Sequence, residues 1–240
     1  MTSARTVLVT GGAGGIGRAI ATAFDAIGDN VVLADVNGAE EAAAELGVRG
    51  VTVDITDEES ITRALDEVGP VDVLVNNAGL LTIHGTLLEL PGADLLKVLQ
   101  VNVQGTFLMT QMVGRRMVER GSGGVVVNMS SIGGRQPTPG MGGYESSKAA
   151  VDALTRWAAI ELAGHGIRVN AVAPGPVLTP MLALGLPEGS PAREAWLSRI
   201  PLRQLAAVEQ VAAAVVFLAG DNAAHITGTS LPVDGGQLLV

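Results

Sequence analysis

The side chains best suited to acid–base chemistry in this sequence are a tyrosine and a lysine four residues apart. Tyr144 is the only tyrosine among 240 residues, and Lys148 follows it in the segment Tyr-Glu-Ser-Ser-Lys. If this segment is helical, both side chains lie on one face, so an ammonium lies beside the phenol. A charge about 5 Å away at an effective dielectric near 20 favours the phenolate by roughly 3 kcal/mol, or about two pH units. The pair therefore predicts a tyrosine general acid/base whose pKa Lys148 lowers.

The same spacing also fits a surface tyrosine and a solvated lysine on an ordinary helix. A Tyr-x-x-x-Lys pattern is common by chance, so it carries little information alone. Its interpretation depends on the elements that would position it.

Composition narrows the classes of protein to which this chain can belong. There is no cysteine, which excludes disulfides, thiolate metal sites and a cysteine nucleophile, and we expect no metal. A net charge of −9 argues against a nucleic-acid partner. No apolar run reaches the roughly 18 residues of a membrane span. The segment Met1–Thr10 lacks the regions of a signal peptide, so we expect a cytoplasmic protein.

A glycine-rich loop near the N-terminus indicates a dinucleotide site. The apolar, β-branched run Thr6–Thr10 predicts a buried strand, and it leads through Gly11–Gly17 into a helical pattern over Ile16–Ile27. Between a strand and a helix, such glycines let the backbone approach a pyrophosphate. The alternative is a flexible turn, but the strand–loop–helix order favours a binding site.

Asp35 ends the second predicted strand, Asn30–Asp35, about twenty residues after the glycine loop. A carboxylate there can bind the adenosine ribose hydroxyls and would repel a 2′-phosphate. No Lys or Arg lies in the loop before Arg18 or just after Asp35. We therefore expect NAD rather than NADP, although an aspartate in a simple turn fits the position too.

Further strands and helices alternate at short spacing through the remainder of the chain, with no repeat or linker. The pattern predicts one α/β domain over residues 1–240, a doubly wound parallel sheet of about seven strands with helices on both faces. The predicted helices include Glu58–Val68, Ala93–Arg120, Tyr144–Ala163 and Val208–Leu218. Leu80–Leu90 is predicted as a loop, and residues 181–204 are predicted as irregular and partly helical.

With these motifs in place, the sequence strongly resembles the short-chain dehydrogenase/reductase family over essentially its whole length. The motifs that carry the resemblance are Thr10–Gly17, Asp54, Asn76–Gly79, Asn102, Asn128–Ser131, Tyr144 with Lys148, Pro174–Gly175 with Thr179, and Asp234–Gly236. Within the family, the chain looks most like the compact branch of 3-oxoacyl-carrier-protein reductases and secondary-alcohol dehydrogenases.

The resemblance implies a role for each matching residue. Tyr144 would be the general acid/base, with Lys148 lowering its pKa. Ser131, thirteen positions before the tyrosine, would orient the substrate, with Ser130 as the alternative. Asn102 would hold a water that links Lys148 to solvent. The implied cofactor-binding residues are Gly11, Gly15, Ile16, Gly17, Asp35, Asp54, Asn77, Ala78, Gly79, Tyr144, Lys148, Pro174, Gly175, Val177 and Thr179.

Two residues depart from the family pattern. Glu145 stands where a small residue is frequent, and a side chain turned away from the Tyr144 face predicts tolerance rather than disruption. Asp35 departs from the NADPH-dependent acyl reductases, which place basic groups around the ribose. Together these motifs predict an NAD-linked oxidoreductase for a secondary alcohol and a ketone. The alternatives are an NADPH-dependent 3-oxoacyl-thioester reductase and a non-catalytic NAD-binding regulator.

In the family that the sequence resembles, the loops Leu80–Leu90 and 181–204 would frame the substrate. In this sequence these predicted substrate loops are mostly apolar and carry no cluster of charge. This composition favours an uncharged, moderately hydrophobic small molecule, whereas His84 is left outside the site as a solvated loop residue. The resemblance further suggests a homotetramer. The residues expected to line the substrate site are Leu81, Ile83, Leu87, Met141, Met181, Leu182, Leu184, Leu186 and Trp196.

Overall fold

A seven-stranded parallel sheet organises the computed structural model, which describes residues 4–179, 182 and 186–240. The spatial order of its strands is β3-β2-β1-β4-β5-β6-β7. The strands are β1 (Thr6–Thr10), β2 (Asn30–Asp35), β3 (Arg49–Thr52), β4 (Val73–Asn76), β5 (Gly124–Met129), β6 (Ile167–Pro174) and β7 (Ser230–Val233). The predicted doubly wound fold is thereby confirmed.

Helices cover both faces of this sheet. They are α1 (Gly15–Asp25), α2 (Ala39–Leu46), α3 (Glu58–Val68), α4 (Gly92–Leu99), α5 (Thr106–Arg120), α6 (Gly142–Leu162), α7 (Pro191–Ser198) and α8 (Val208–Ala219). Short 3-10 helices lie at Ile132–Gly134, Ala163–His165, Asp221–Ala223 and Gln237–Leu239.

Successive side chains of each strand point to opposite faces of the sheet, so the core consists of two layers. Val7 and Val9 pack in the cluster that includes Phe24 of α1 and Val215 of α8. Leu8, between them, packs in the opposite cluster with residues of α3 and α5. Because helices bury both faces, the central strands read as continuous apolar runs rather than as alternating ones.

One predicted helix differs from the structure. The pattern Ala93–Arg120 was expected to form a single α-helix, but a π-helical segment, Gln100–Gly105, separates α4 from α5. Asn102 lies in this segment. A π-helix widens the turn locally, and it often occurs at functional sites.

The strand order changes direction between β1 and β4. From β1 the chain builds outward to β3, and it then returns to place β4 on the other side of β1. The loops that follow β1 and β4 diverge at this point, which opens a crevice at the carboxyl ends of the strands. Among the described residues, no helix combines the length and apolarity that crossing a membrane requires.

Candidate active site

Tyr144 and Lys148 lie in the first turns of α6, just after the loop Gly133–Met141. The Lys148 ammonium is 5.5 Å from the centre of the Tyr144 ring, so the predicted shared face is present. The ammonium is buried, and it donates a 2.7 Å hydrogen bond to the carbonyl oxygen of Met129. The end of β5 therefore fixes Lys148 against the phenol.

The pKa of Tyr144 differs from the sequence prediction. Burial raises the pKa of the Tyr144 phenol, a hydrogen bond with Ser131 opposes the rise, and the charge of Glu145 adds to it. The expected lowering by Lys148 was wrong for the protein without a cofactor. The physical reason is that the ammonium faces the ring and the Met129 carbonyl, while the phenol has lost solvent.

The pKa of Lys148 is also strongly shifted by its surroundings. Burial lowers the pKa of Lys148 to about 8, and the charge of Asp152 partly opposes this. Asp152 lies one turn further along α6 and is buried, and Arg135 pairs with it at 3.5 Å. The lysine is therefore close to titrating under ordinary conditions, which suits a residue beside a proton-transfer site.

The two adjacent serines have different surroundings. Ser131 begins the 3-10 helix Ile132–Gly134, and its hydroxyl accepts a 3.1 Å hydrogen bond from the Gly133 amide. The same side chain acts on the phenol, because its interaction with Tyr144 lowers the pKa that burial raises. Ser130 is buried and donates to the carbonyl oxygen of Lys148 at 3.2 Å. This geometry favours Ser131 over Ser130 as the residue that orients a substrate.

Asn102 is fully buried in the π-helical segment, and its side chain finds partners there. Its amide oxygen accepts from the Leu80 amide at 2.6 Å. Its nitrogen donates to the Leu80 carbonyl at 3.1 Å and to the Ser147 hydroxyl at 2.9 Å. The side chain thus joins the loop after β4 to α6. Its predicted role in holding a water stays a prediction.

The glycine loop packs directly on the loop that follows β4. Gly11 has a φ of +63°, and a Cβ placed there would lie 2.7 Å from the Ala78 Cα. A Cβ on Gly17 would overlap the Gly11 carbonyl oxygen. The Asn77 amide nitrogen donates to the carbonyls of Thr10 and Gly11 at 3.0 and 2.9 Å. Glycine is therefore required where the two loops touch.

This crevice fits a dinucleotide pyrophosphate. The N-terminus of α1 opens into it at Gly15 and Ile16, and the N-cap residue Gly14 has no side chain to occupy the free helix amides. Such amides, together with the helix dipole, bind phosphate. Gly15, Ile16 and Gly17 form the start of α1, and their contact with a pyrophosphate stays a prediction.

Thr10 belongs to the motif Thr10–Gly17, but the sequence analysis gave it no role in this crevice. Its buried hydroxyl accepts from the amides of Asn77 and Ala78, both at 3.1 Å, and donates to the Val75 carbonyl at 3.3 Å. The available signal was a polar residue at the last position of an apolar strand. Thr10 locks the loop after β4, including Gly79, to the end of β1.

Asp35 and Asp54 lie at the ends of β2 and β3. One Asp35 oxygen accepts from the Ala13 amide at 3.1 Å, which ties β2 to the glycine loop. Arg18, the first basic residue after that loop, pairs with Glu45 and is already engaged. Asp54 is exposed, and it accepts from both the amide and the hydroxyl of Thr56. Asp35 thus contacts the glycine loop directly, whereas the place of Asp54 beside the adenine stays a prediction.

The segment after β6 closes the other end of the site. The Ser131 hydroxyl lies 3.5 Å from the Pro174 carbonyl, which brings this segment beside Tyr144. The Gly175 amide donates to Val233, and Val177 forms a bridge with Ala206.

Further along this segment, the Thr179 hydroxyl accepts from the Leu182 amide at 3.2 Å. Two of the predicted substrate-site residues, Met181 and Leu184, lie outside the described residues.

Several of the predicted lining residues have other surroundings. Leu87 is 97% exposed and Leu186 is buried, and their place in the lining of a substrate site stays a prediction. Trp196 lies beneath the Arg199 guanidinium at 4.9 Å. Loop conformation depends on tertiary contacts that a hydrophobicity pattern does not contain.

Glu145 is the clearest departure from expectation. It was expected to be a tolerant side chain, yet it is 6% exposed, and both of its oxygens accept from the Thr138 amide, at 2.8 and 3.0 Å. The loop before α6 folds back over this side chain. The expected tolerance of the position stays a prediction.

Comparisons with known proteins agree with this geometry. A family profile described as enoyl-(acyl carrier protein) reductase matches residues 11–237. A 3-oxoacyl-[acyl-carrier-protein] reductase of Thermotoga maritima is 39% identical, over 98% of this chain and 98% of its own length. A galactitol 2-dehydrogenase of Cereibacter sphaeroides is 41% identical, over 95% of this chain and 92% of its own length.

A solved structure shares the fold as well as the sequence pattern. It is titled a short chain dehydrogenase/reductase family protein and superposes with a TM-score of 0.88 at 37% identity. The match covers 98% of this chain and 98% of the solved one.

Proposed function

Because the chain belongs to the short-chain dehydrogenase/reductase family, we propose that it is an NAD(H)-dependent oxidoreductase that interconverts a secondary alcohol and a ketone. Family members are NAD(P)-dependent enzymes acting on CH–OH groups, and this coarser description holds for the chain. The observation that carries the proposal is the arrangement of Ser131, Tyr144 and Lys148 at one end of α6.

Each of the three side chains has a distinct task in the proposed reaction. In the oxidation direction, the Tyr144 phenolate takes the proton of the substrate hydroxyl, and the Ser131 hydroxyl holds the substrate oxygen. Lys148, fixed by Met129, supplies positive charge beside the phenol. A bound oxidised nicotinamide would supply the hydride acceptor for the carbinol carbon, and its positive charge would favour the phenolate.

Asp35 supports NAD over NADP. Its carboxylate lies at the end of β2 and contacts the glycine loop through Ala13, where the adenosine ribose of a dinucleotide would bind. Arg18, the first basic residue after the glycine loop, pairs with Glu45 in this structure. Gly11, Gly17, Asn77, Asp54, Val177 and Thr179 complete the proposed cofactor site.

The alternative within the same chemistry is an NADPH-dependent 3-oxoacyl-thioester reductase. The Thermotoga maritima relative bears such a name, which is the specific observation in its favour. Asp35 argues against it because the carboxylate would repel a 2′-phosphate. A non-catalytic NAD-binding regulator is the remaining alternative, but it has no need of the Ser131, Tyr144 and Lys148 arrangement.

The proposal includes the substrate class and the assembly. Residues 1–240 form one dinucleotide-binding and catalytic domain, whose substrate loops, including 181–204, favour an uncharged, moderately hydrophobic molecule.

An apolar groove of about 350 Å³ runs between α5 and α6, and Trp157 and Ile160 are exposed along this helix pair. Pairing two copies across this groove would bury it and give a dimer, and the homotetramer suggested by the resemblance would be two such dimers. We retain the cytoplasmic location expected from the sequence.

The decisive experiment follows NADH formation with cyclic, aliphatic, steroidal and 3-hydroxyacyl-thioester alcohols, each with NAD and with NADP. Tyr144→Phe serves as the blank and should lose turnover while retaining NAD affinity, because only the proton-transfer group is removed. Turnover of a thioester with NADP alone would favour the alternative enzyme. Binding of NAD without turnover of any alcohol would favour the regulator, and loss of NAD binding in the variant would contradict the role given to Tyr144.

A further inference from the structure

Glu145 is a buried acid beside the proposed general acid/base, and the proton-transfer chemistry itself does not require it. Its side chain is 6% exposed. The ion pairs found among the described residues do not include it. Its two oxygens share a single backbone donor, the Thr138 amide. Burying a carboxylate with so little compensation costs free energy, so its position calls for a functional reason.

One contact of Glu145 leads to Ser131. A Cβ placed on Gly133 would lie 2.9 Å from the Glu145 Cγ, so the glutamate chain packs on that glycine. The Gly133 amide donates to the Ser131 hydroxyl at 3.1 Å. The glutamate therefore supports the residue that orients the Ser131 side chain.

The other contact leads to the two loops around the site. Thr138 belongs to the loop Gly133–Met141, and Glu145 holds its amide. In the same loop, the Gly140 carbonyl accepts a 3.0 Å hydrogen bond from the Gly85 amide, which belongs to the loop Leu80–Leu90. Glu145 thus anchors the loop Gly133–Met141 directly. Through that loop it also anchors the loop Leu80–Leu90.

We propose that Glu145 is a positioning residue that holds Ser131 and the loops Gly133–Met141 and Leu80–Leu90 in register with Tyr144, an inference that rests on the function proposed above. It acts through these groups rather than on the substrate. Its acceptor oxygens and its negative charge make separable contributions. The oxygens hold the loop, and the charge acts on the phenol.

The charge contribution has a defined sign. Glu145 is the charged residue that raises the pKa of Tyr144, so removing its charge lowers that pKa. Lys148 and Asp152 lie on the same helix, and neighbouring segments carry further charged or titratable groups. These groups are Arg135 in the loop before α6, His84 and Glu89 in the loop after β4, and Asp94 and Lys97 in α4. Every variant in the test retains them.

Two variants separate the contributions, with Glu67→Gln on the exposed face of α3 as the charge-matched control. Glu145→Gln keeps an acceptor for the Thr138 amide and removes the charge. We expect its alcohol KM to stay within about twofold of wild type, whereas its kcat/KM profile for oxidation moves to lower pH by about 0.5–1 unit. Glu145→Ala should raise the alcohol KM about tenfold without changing the KM for NAD, because the loop is released.

Two readouts need no turnover and keep this inference separate from the proposed activity. Tyrosinate absorbance reports Tyr144 alone, since it is the only tyrosine, and its midpoint should fall in Glu145→Gln but not in Glu67→Gln. Hydrogen exchange at the Thr138 amide should stay slow in Glu145→Gln and become fast in Glu145→Ala. An unchanged midpoint in Glu145→Gln, or slow exchange in Glu145→Ala, would overturn the proposal. Wild type that turns over no alcohol would count against the proposed function only.

Discussion

The Lys148 ammonium lies 5.5 Å from the centre of the Tyr144 ring and donates its hydrogen bond to the Met129 carbonyl rather than to the phenol. The pair therefore shares a helix face as the sequence predicts, yet burial of the phenol dominates its protonation in the free protein. The pKa of Tyr144 is raised although the Lys148 ammonium is nearby, so forming the phenolate near neutral pH requires additional positive charge. Oxidised nicotinamide would supply that charge.

Spectroscopic titration of Tyr144 tests this account directly. Without cofactor, we expect the phenol to ionise above its ordinary pKa of about 10, because burial disfavours the phenolate. With saturating NAD⁺ the midpoint should fall by at least about one pH unit, and with NADH it should fall less. The measurement is tyrosinate absorbance against pH, with circular dichroism confirming that the protein stays folded. A midpoint that NAD⁺ does not move would contradict electrostatic coupling between the cofactor and the phenol.

Replacing Lys148 should stabilise the fold while removing activity. Its pKa in the folded protein is lowered to about 8 from 10.5, so below pH 8 the lysine carries a desolvation cost in the folded state. Between pH 8 and 10.5 the unfolded chain binds more protons, so stability rises with pH and the cost disappears. We expect Lys148→Met to gain about 1–2 kcal/mol near pH 7, after losing the hydrogen bond to Met129.

Urea unfolding near neutral pH and again well above pH 8 measures this gain, with Lys97→Met on the exposed face of α4 as the control. The advantage of Lys148→Met should shrink at the higher pH. An advantage that grows with pH would show that the buried ammonium is not its source.

Replacing Ser131 should mainly reduce kcat, whereas replacing Ser130 should mainly reduce stability. Ser131→Ala removes the hydroxyl whose interaction with Tyr144 lowers the pKa of the phenol, and we expect kcat to fall about 10²–10³-fold with little change in stability. Ser130→Ala removes a buried donor to the Lys148 carbonyl, so it should cost about 1 kcal/mol of stability and less than tenfold in kcat. Steady-state kinetics and thermal unfolding of both variants provide the comparison. The reverse pattern would assign substrate orientation to Ser130.

The sequence allowed the fold and much of the site to be predicted, for identifiable physical reasons. Strands such as β1 and β2 are short apolar runs with glycine or aspartate at their ends, so local composition determines their limits. Tyr144 and Lys148 are related by helix geometry alone, and their shared face could be derived from their spacing.

What could not be predicted depends on contacts between distant segments. Burial of Glu145 requires the loop Gly133–Met141 to fold back onto α6, and no local pattern encodes that path. The π-helical segment around Asn102 reflects its bonds to Leu80 and Ser147. The direction of the Tyr144 pKa shift likewise follows from desolvation, which depends on the complete fold.

Changing Asp35 should alter the preference between the two cofactors. Asp35→Asn keeps an oxygen that can accept from the Ala13 amide and removes the charge that would repel a 2′-phosphate. We expect the ratio of kcat/KM for NAD to that for NADP to fall about 10–30-fold, mainly through improved use of NADP. Asp35→Ala should lose efficiency with both cofactors, because the tie between β2 and the glycine loop is lost as well.

Glu40→Gln, on α2, removes one surface carboxylate and should leave the ratio unchanged. The kcat/KM values of all four proteins are measured with one alcohol and both cofactors at the same ionic strength, because screening weakens the effect of a single charge. If wild type already favours NADP, the carboxylate of Asp35 is not what selects the cofactor. The preference would then have to come from other groups around the adenosine ribose, and the NADPH-dependent alternative would become the better description of the enzyme.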